Sequence, residues 1–263
     1  MANPLALVTG CTGGIGSVIT SRLIHEGYEV IGMARDYTKM ARLADTLPID
    51  RFHQVLMDVT SSQSIWYSRM LDLVSEYGTP EVLVIAHGAA PVIAPTVSLE
   101  ASRFCEVLLT DVYGAFIACQ SVGGYMVRAR RGSIIVISSL HAKMTYPQRL
   151  AYSVAKSGLS GLVRSLALEW GPSNVRTNAI LPWQVRGPRS QAFMDAAKAE
   201  GKDLEELYKQ RSPMRMLVEP VEVAEAVMFL ASNLAMNGCE LVMDGGVSGS
   251  MWYQGFAEET RRK

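Results

Sequence analysis

Short apolar, β-branched runs alternate along this chain with longer stretches whose apolar positions recur at helical spacing. The first run, Leu5–Thr9, ends in glycines and leads into a helical pattern over Gly14–Glu26. Strand-like runs follow at Glu29–Ala34, Phe52–Asp58 and Val82–Ala86. A long helical pattern then fills Leu99–Arg130, with a break expected near Thr110. The remaining pattern predicts a strand at Ser133–Ser139, a helix at Tyr152–Glu169, a strand at Val175–Leu181, a helix at Val221–Ser232 and a last strand at Glu240–Met243. Runs such as Ile134-Ile135-Val136-Ile137 have no polar face, which suits strands covered on both sides. Strands and helices alternating over the whole chain predict an α/β fold, a parallel sheet with helices on both faces. The segment 188–212 breaks the alternation, being polar and helical with Gly201 inside it. It reads as a lid over a pocket, so residues 1–263 are expected to form one dinucleotide-binding and catalytic domain with a lid at about 188–212.

Composition narrows the function classes. Hydrophobic residues make up 49% of the 263 and charged residues 19%, a globular balance. Lys+Arg and Asp+Glu both number 25, so the formal charge is zero and nothing favours nucleic acid or a membrane surface as partner. No apolar run approaches the ~20 residues of a membrane span. The N-terminus has no basic region ahead of its apolar stretch, so no signal peptide is expected. Cys11, Cys105, Cys119 and Cys239 lie far apart without a CxxC or a paired histidine. They read as buried free thiols of a cytoplasmic protein, with no metal site.

The clearest chemistry lies directly after the first strand. Thr9-Gly10-Cys11-Thr12-Gly13-Gly14-Ile15-Gly16 joins that strand to the first helix. Glycine is needed where the chain turns with positive φ and where backbone must come close to a pyrophosphate. The helix start then offers N–H groups and partial positive charge to the phosphates.

This TGxxxGxG spacing resembles the short-chain dehydrogenase/reductase family, and later motifs keep that family's order. Tyr152 and Lys156 match its YxxxK, and Ser139 stands thirteen positions before Tyr152. Asn178-Ala-Ile-Leu-Pro182 is similar to its NxxxP segment, and Asp244-Gly245-Gly246 to its C-terminal signature. The resemblance runs from about residue 5 to about residue 248. It implies a doubly wound (Rossmann) seven-stranded parallel sheet, often a homotetramer, and metal-free hydride transfer between a nicotinamide and an alcohol or carbonyl. The implied cofactor contacts are Gly10, Thr12, Gly13, Gly14, Ile15, Gly16, Asp58, Val59, Gly88, Tyr152, Lys156 and Pro182.

Cofactor choice turns on the end of the second strand, where an acid suits the ribose hydroxyl of NAD(H) and an arginine the phosphate of NADP(H). Here Ala34 is followed by Arg35, which favours NADP(H) over NAD(H), although Asp36 comes next and Gly13 carries no charge. At the reacting end, Tyr152 and Lys156 share one helix face. A free tyrosine titrates at about 10, and a nearby ammonium favours its phenolate, which suits proton exchange with the substrate oxygen. Ser139 is expected to hydrogen-bond that oxygen.

Three departures from the family pattern stand out. Its NNAG segment is Ile85-Ala86-His87-Gly88 here, which predicts local repacking with His87 structural. Its helix asparagine aligns with Asp111, a catalytic candidate whose carboxylate would stabilise the Lys156 ammonium or divert it. The residue after Pro182 is Trp183, and the family threonine that often contacts the carboxamide is Gly187. The pocket is expected to be lined by Leu140, His141, Met144, Tyr146, Gln148, Arg149 and the stretch from Trp183 through Arg186 to Arg189. Those arginines are candidates for an anionic substrate group, and each alone also reads as a solvated charge. Two alternatives remain open: a catalytically degenerate dinucleotide-binding regulator or scaffold, and a sugar-nucleotide epimerase or dehydratase. The aromatic tail Met251, Trp252, Tyr253 and Phe256 predicts a homo-oligomer with Trp252 or Tyr253 buried against a neighbouring subunit.

Overall fold

The computed structural model describes residues 3–249. Seven strands form one parallel sheet: β1 (Leu5–Thr9), β2 (Glu29–Ala34), β3 (Phe52–Leu56), β4 (Val82–Ile85), β5 (Gly132–Ile137), β6 (Val175–Pro182) and β7 (Glu240–Met243). Their order is β3-β2-β1-β4-β5-β6-β7. β1 therefore pairs with both β2 and β4, and the winding reverses beside it. In open sheets of this kind the loops diverge at that reversal and leave a crevice at the carboxyl ends of the strands.

Helices α1 (Gly14–His25), α2 (Tyr37–Ala44) and α9 (Pro220–Ser232) contribute to the core on one face. There Ile19, Leu23, Met40, Val223, Val227 and Leu230 meet Ala6, Val8, Val84 and Ile135 of the sheet. The other face is covered by α3 (Gln63–Tyr77), α5 (Gly114–Ala129) and α6 (Leu150–Trp170). Every residue of β1, β4 and β6 is buried: the first two are almost wholly apolar runs, whereas β6 buries Arg176, Thr177 and Asn178 on hydrogen bonds to neighbouring segments. The family-derived expectation of a doubly wound, seven-stranded parallel sheet is thus met.

Two helices escape the sequence reading. The α3 pattern is legible in retrospect, since Trp66, Met70 and Leu73 at i, i+4 and i+7 are its buried residues. The short α2 buries only Met40, so it carries almost no periodic signal. Its start is set by Asp36, whose side chain accepts the Lys39 N–H. The break expected near Thr110 is a π-helical turn, Leu109–Tyr113, between α4 (Ala101–Leu108) and α5. The combined helix Ala101–Ala129 is long and apolar enough to span a membrane by length and composition alone. More than half of its apolar window is buried inside the protein, as in a core helix.

Segment 188–212 forms α7 (Pro188–Ala199) and α8 (Leu204–Arg211). Met194, Tyr208 and Leu217 make a small core there, packed against Trp183 and Leu204. The expectation of four buried thiols holds for Cys11 and Cys119 and fails for the other two: Cys239 is half-buried and Cys105 is exposed on α4. The aromatic tail from Met251 to Phe256 lies outside the described residues.

Candidate active site

The glycine loop opens the crevice. Gly10 has φ 70°, and a Cβ there would lie 2.7 Å from the His87 backbone. A Cβ on Gly16 would run into the Gly10 carbonyl. Gly13 caps α1 with no side-chain bond, so the first-turn N–H groups have no side-chain acceptor competing with a ligand. The first residue of α7 closes on this loop: a Cβ on Gly14 would lie 3.0 Å from the Pro188 Cδ. A glycine-rich loop before a helix start with no side-chain cap fits a dinucleotide pyrophosphate.

In the segment that stands for NNAG the two asparagine positions are Ile85 and Ala86, and the neighbouring His87 makes a tie between strands instead. Its Nδ1 lies 2.7 Å from the Thr9 Oγ1, joining the end of β4 to the end of β1. Its Nε2 is buried with no partner among the described residues. Burial holds the ring down at about 4, with the Asp111 charge acting the other way.

Asp58, beyond β3, accepts both the N–H and the hydroxyl of Thr60, at 2.8 and 2.7 Å. The Thr60 N–H is the main reason its carboxyl sits below the ordinary range, with burial opposing and Arg35 assisting at 3.7 Å. Val59 is buried against the place where a Gly114 Cβ would be.

The reacting end gathers around α6. Ser139 follows β5 in extended conformation and accepts the His141 N–H at 3.2 Å. Its own hydroxyl hydrogen remains available to donate. Lys156 Nζ lies 5.4 Å from the Tyr152 ring centroid and 3.1 Å from the Asp111 Oδ2. Both ends of this ion pair are buried, Lys156 at 4% exposure and Asp111 at 1%. Burial works against the ammonium, but the Asp111 and Tyr152 charges outweigh it and hold Lys156 above its ordinary value. Asp111 also accepts the Ala89 N–H at 2.6 Å, which anchors the loop after β4. Gly88 lies beside both, since a Cβ there would be 3.6 Å from the Asp111 oxygens and from Lys156 Nζ.

Trp183 and Gly187 follow Pro182 at the base of the lid segment. The Trp183 ring meets Tyr146 and Tyr208 edge-on, with centroids 5.9 and 6.3 Å away. His141 stands between Tyr146 and Tyr152, 5.3 Å from each ring centroid. Burial, assisted by the Arg149 charge, lowers His141 to about 4. Leu140 is buried, while Met144 and Gln148 are exposed. Arg186 is held by Glu219 and Glu205, at 2.9 and 3.0 Å, so two carboxylates already answer its charge. Arg189 donates to the Ala89 and Gly88 carbonyls, at 3.2 and 3.4 Å, linking α7 to the loop after β4.

Sequence reasoning missed the partners of Arg186 and the place of Arg211, whose guanidinium lies 5.1 Å from the Tyr146 ring centroid. Arg211 stands in an ordinary amphipathic stretch, and no sequence signal marks it out. Asn178 joins β6 to the chain before β7: it donates to the Met236 carbonyl and accepts the Cys239 N–H. In the Asp244-Gly245-Gly246 turn, Asp244 accepts from the N–H groups of Gly246 and Ser248, and both glycines have positive φ.

Residues 10–248 match the family model described as enoyl-(acyl carrier protein) reductase. D-threitol dehydrogenase of Mycolicibacterium smegmatis is 32% identical over 247 residues, covering 92% of each chain. Among solved structures, ElxO with NADP bound superposes with a TM-score of 0.88 at 22% identity, over 95% of this chain and 100% of its own. NAD+-bound xylitol dehydrogenase superposes with a TM-score of 0.87 at 24% identity, over 92% of this chain and 98% of its own. At these identities the structural likeness speaks for the fold.

The depressed His87 carries a pH signature. Between about 4 and the ordinary 6.5 the unfolded chain binds a proton that folded His87 does not, so stability falls as pH drops through that window. His87→Asn should flatten the dependence by up to about 1.4 kcal/mol per pH unit, the value of one proton. Urea unfolding at several pH values between 7 and 4 measures it, and an unchanged slope would clear His87 of the effect.

Proposed function

Because the chain belongs to the short-chain dehydrogenase/reductase family and is a nicotinamide-dependent oxidoreductase of alcohols and carbonyls, we propose that Ser139, Tyr152 and Lys156 carry its chemistry, with Asp111 in support. The observation that carries this reading is the buried Lys156 ammonium beside the Tyr152 ring, at the carboxyl end of the sheet.

When bound, the nicotinamide supplies or takes up the hydride. Tyr152 hands its hydroxyl proton to the substrate oxygen in reduction and receives it in oxidation. The Lys156 ammonium stabilises the negative charge left on the phenol oxygen. Ser139 donates its free hydroxyl hydrogen to the substrate oxygen and so orients it. Asp111 keeps Lys156 charged and in place. Gly10 through Gly16, Asp58, Val59, Gly88 and Pro182 form the cofactor's side of the crevice, and α7 with α8 act as a lid.

NADP(H) is the cofactor this reading favours. Arg35 directly follows β2 with its side chain 77% exposed, and its ion pair with Asp58 is of the solvent-exposed kind that holds little energy. Asp36, the competing acid, is engaged in capping α2. A cleft of about 450 Å³ between α1 and α2 is lined by Thr12, Ser17, Ser21, Lys39 and Arg42 among others, with no acid in its wall. Such a wall suits an added phosphate better than a bare ribose hydroxyl. A cytoplasmic homo-oligomer, tetrameric as the family resemblance implies, belongs to the same proposal. The half-buried edge strand β7 and the free cysteines support it. Nothing in the relatives favours a regulator without turnover.

Tyr152→Phe should lower turnover by about 10²–10⁴-fold, the usual worth of a positioned acid or base, while leaving NADPH affinity nearly unchanged. Absorbance assays over alcohol and carbonyl panels, with NADPH titrated separately, measure both, and near-normal turnover would sink the mechanism. Lys156→Ala should weaken turnover and cofactor binding together.

The unmodified protein should bind NADPH more tightly than NADH, and Arg35→Asp should narrow or reverse that order. Equal affinities in parallel fluorescence titrations would count against the assignment.

A further inference from the structure

Three buried donor atoms beside the reacting end lack a hydrogen-bond partner among the described residues: the Tyr146 hydroxyl, Arg149 Nη1 and the Trp183 Nε1. They belong to one cluster. Tyr146 and Trp183 meet edge-on, and the Arg211 guanidinium lies 5.1 Å from the Tyr146 ring centroid. The Arg149 guanidinium lies 5.7 Å from the Phe193 centroid, and its charge acts on His141, Tyr146 and Tyr208. Arg211 acts on the same two tyrosines. Among the described residues no carboxylate lies within ion-pair distance of Arg149 or Arg211, unlike Arg186 with its two glutamates.

A buried donor left unpaired is unfavourable, so native proteins rarely keep several clustered without an acceptor; Arg149 and Arg211 themselves are half-buried, with Arg149 Nη1 the buried atom. A guanidinium N–H, a phenol and an indole N–H all call for the same partner, one rich in oxygen lone pairs, and the second guanidinium, Arg211, which already reaches the Tyr146 oxygen, adds positive charge beside them. His141 spaces this cluster from Tyr152 by the width of a single ring.

We propose that the substrate carries an oxyanion, a carboxylate, phosphate or sulfonate, seated on Arg149, Arg211, Tyr146 and Trp183, with its carbinol or carbonyl carbon a few atoms away at Tyr152. This rests on the reading of Tyr152 as the proton-transfer group. The lid contributes Arg211 from the end of α8, so an anionic substrate completes a charge-paired contact between the lid and the loop before α6. The arginines at Arg186 and Arg189 are otherwise engaged and take no part.

The test is calorimetric binding to the full chain saturated with NADPH, using phenylacetate, benzylphosphonate and phenylmethanesulfonate against neutral phenylacetamide. At least one anion should bind about tenfold or more tightly than the amide, the worth of one charge-assisted hydrogen bond. Arg149→Leu and Arg211→Leu should each erase most of that preference, and Arg149→Lys should retain part of it. NADPH affinity serves as the folding control. An amide that binds the unmodified protein as well as all three anions overturns the proposal, as does a preference that survives in the folded double variant. Binding is read without turnover, so an inactive Tyr152 mechanism and an absent anion site give different results.

Discussion

A buried ammonium needs a counter-charge, and the arrangement of this site depends on how Lys156 finds one in Asp111. The pair lies 3.1 Å apart with almost no exposure on either side. Removing one partner of such a buried pair costs about 3–5 kcal/mol. That is a large part of the roughly 5–15 kcal/mol by which a domain is stable. Three elements are fixed together as a result. Asp111 stands on the π turn before α5, Lys156 on α6, and Ala89 reaches the same carboxylate from the loop after β4. The phenol of Tyr152 and the backbone of Gly88 are thereby held around one charge.

The other half of the crevice is organised by close backbone approach. Gly10 packs against His87, and His87 ties Thr9 to the end of β4. The two strands that flank the winding reversal are thus locked at their carboxyl ends, where the crevice opens. The imidazole that makes this tie is bulky, and Gly114 accommodates it, since a Cβ there would lie 2.9 Å from the His87 Nε2. Arg189 and Pro188 then bring the lid to both sides of the crevice.

How legible all this was depended on the range of the interactions. The buried strands announced themselves because a strand covered on both faces is apolar at nearly every position, as in Ile134–Ile137 of β5. The motif residues Gly10 to Gly16, Ser139, Tyr152 and Lys156 were legible because their spacing along the chain sets their spacing in the fold. The π turn was foreseen only as a break, since its hydrogen-bond pattern leaves no mark in composition. Contacts between distant segments were invisible: Arg186 with Glu205 and Glu219, Arg211 over Tyr146, and the exposure of Cys105 all depend on how helices dock. The closeness of Asp111 to Lys156 was expected only because a family pattern aligned it.

The turn Leu109–Tyr113 also limits how this protein can change in length. Each helical residue rotates the rest of its helix by about 100°. Deleting one residue here would restore regular α-helix, but it would swing α4 by that angle relative to α5. Val107 would then leave its seat beside Ala151 and Ala155, at the start of the helix that bears Tyr152. Keeping α4 in place would instead turn Asp111 away from Lys156. Substitutions along this helix act one side chain at a time, whereas an insertion or deletion shifts the phase between the packed half and the charged half. The segment is therefore bound to a fixed reading of its length.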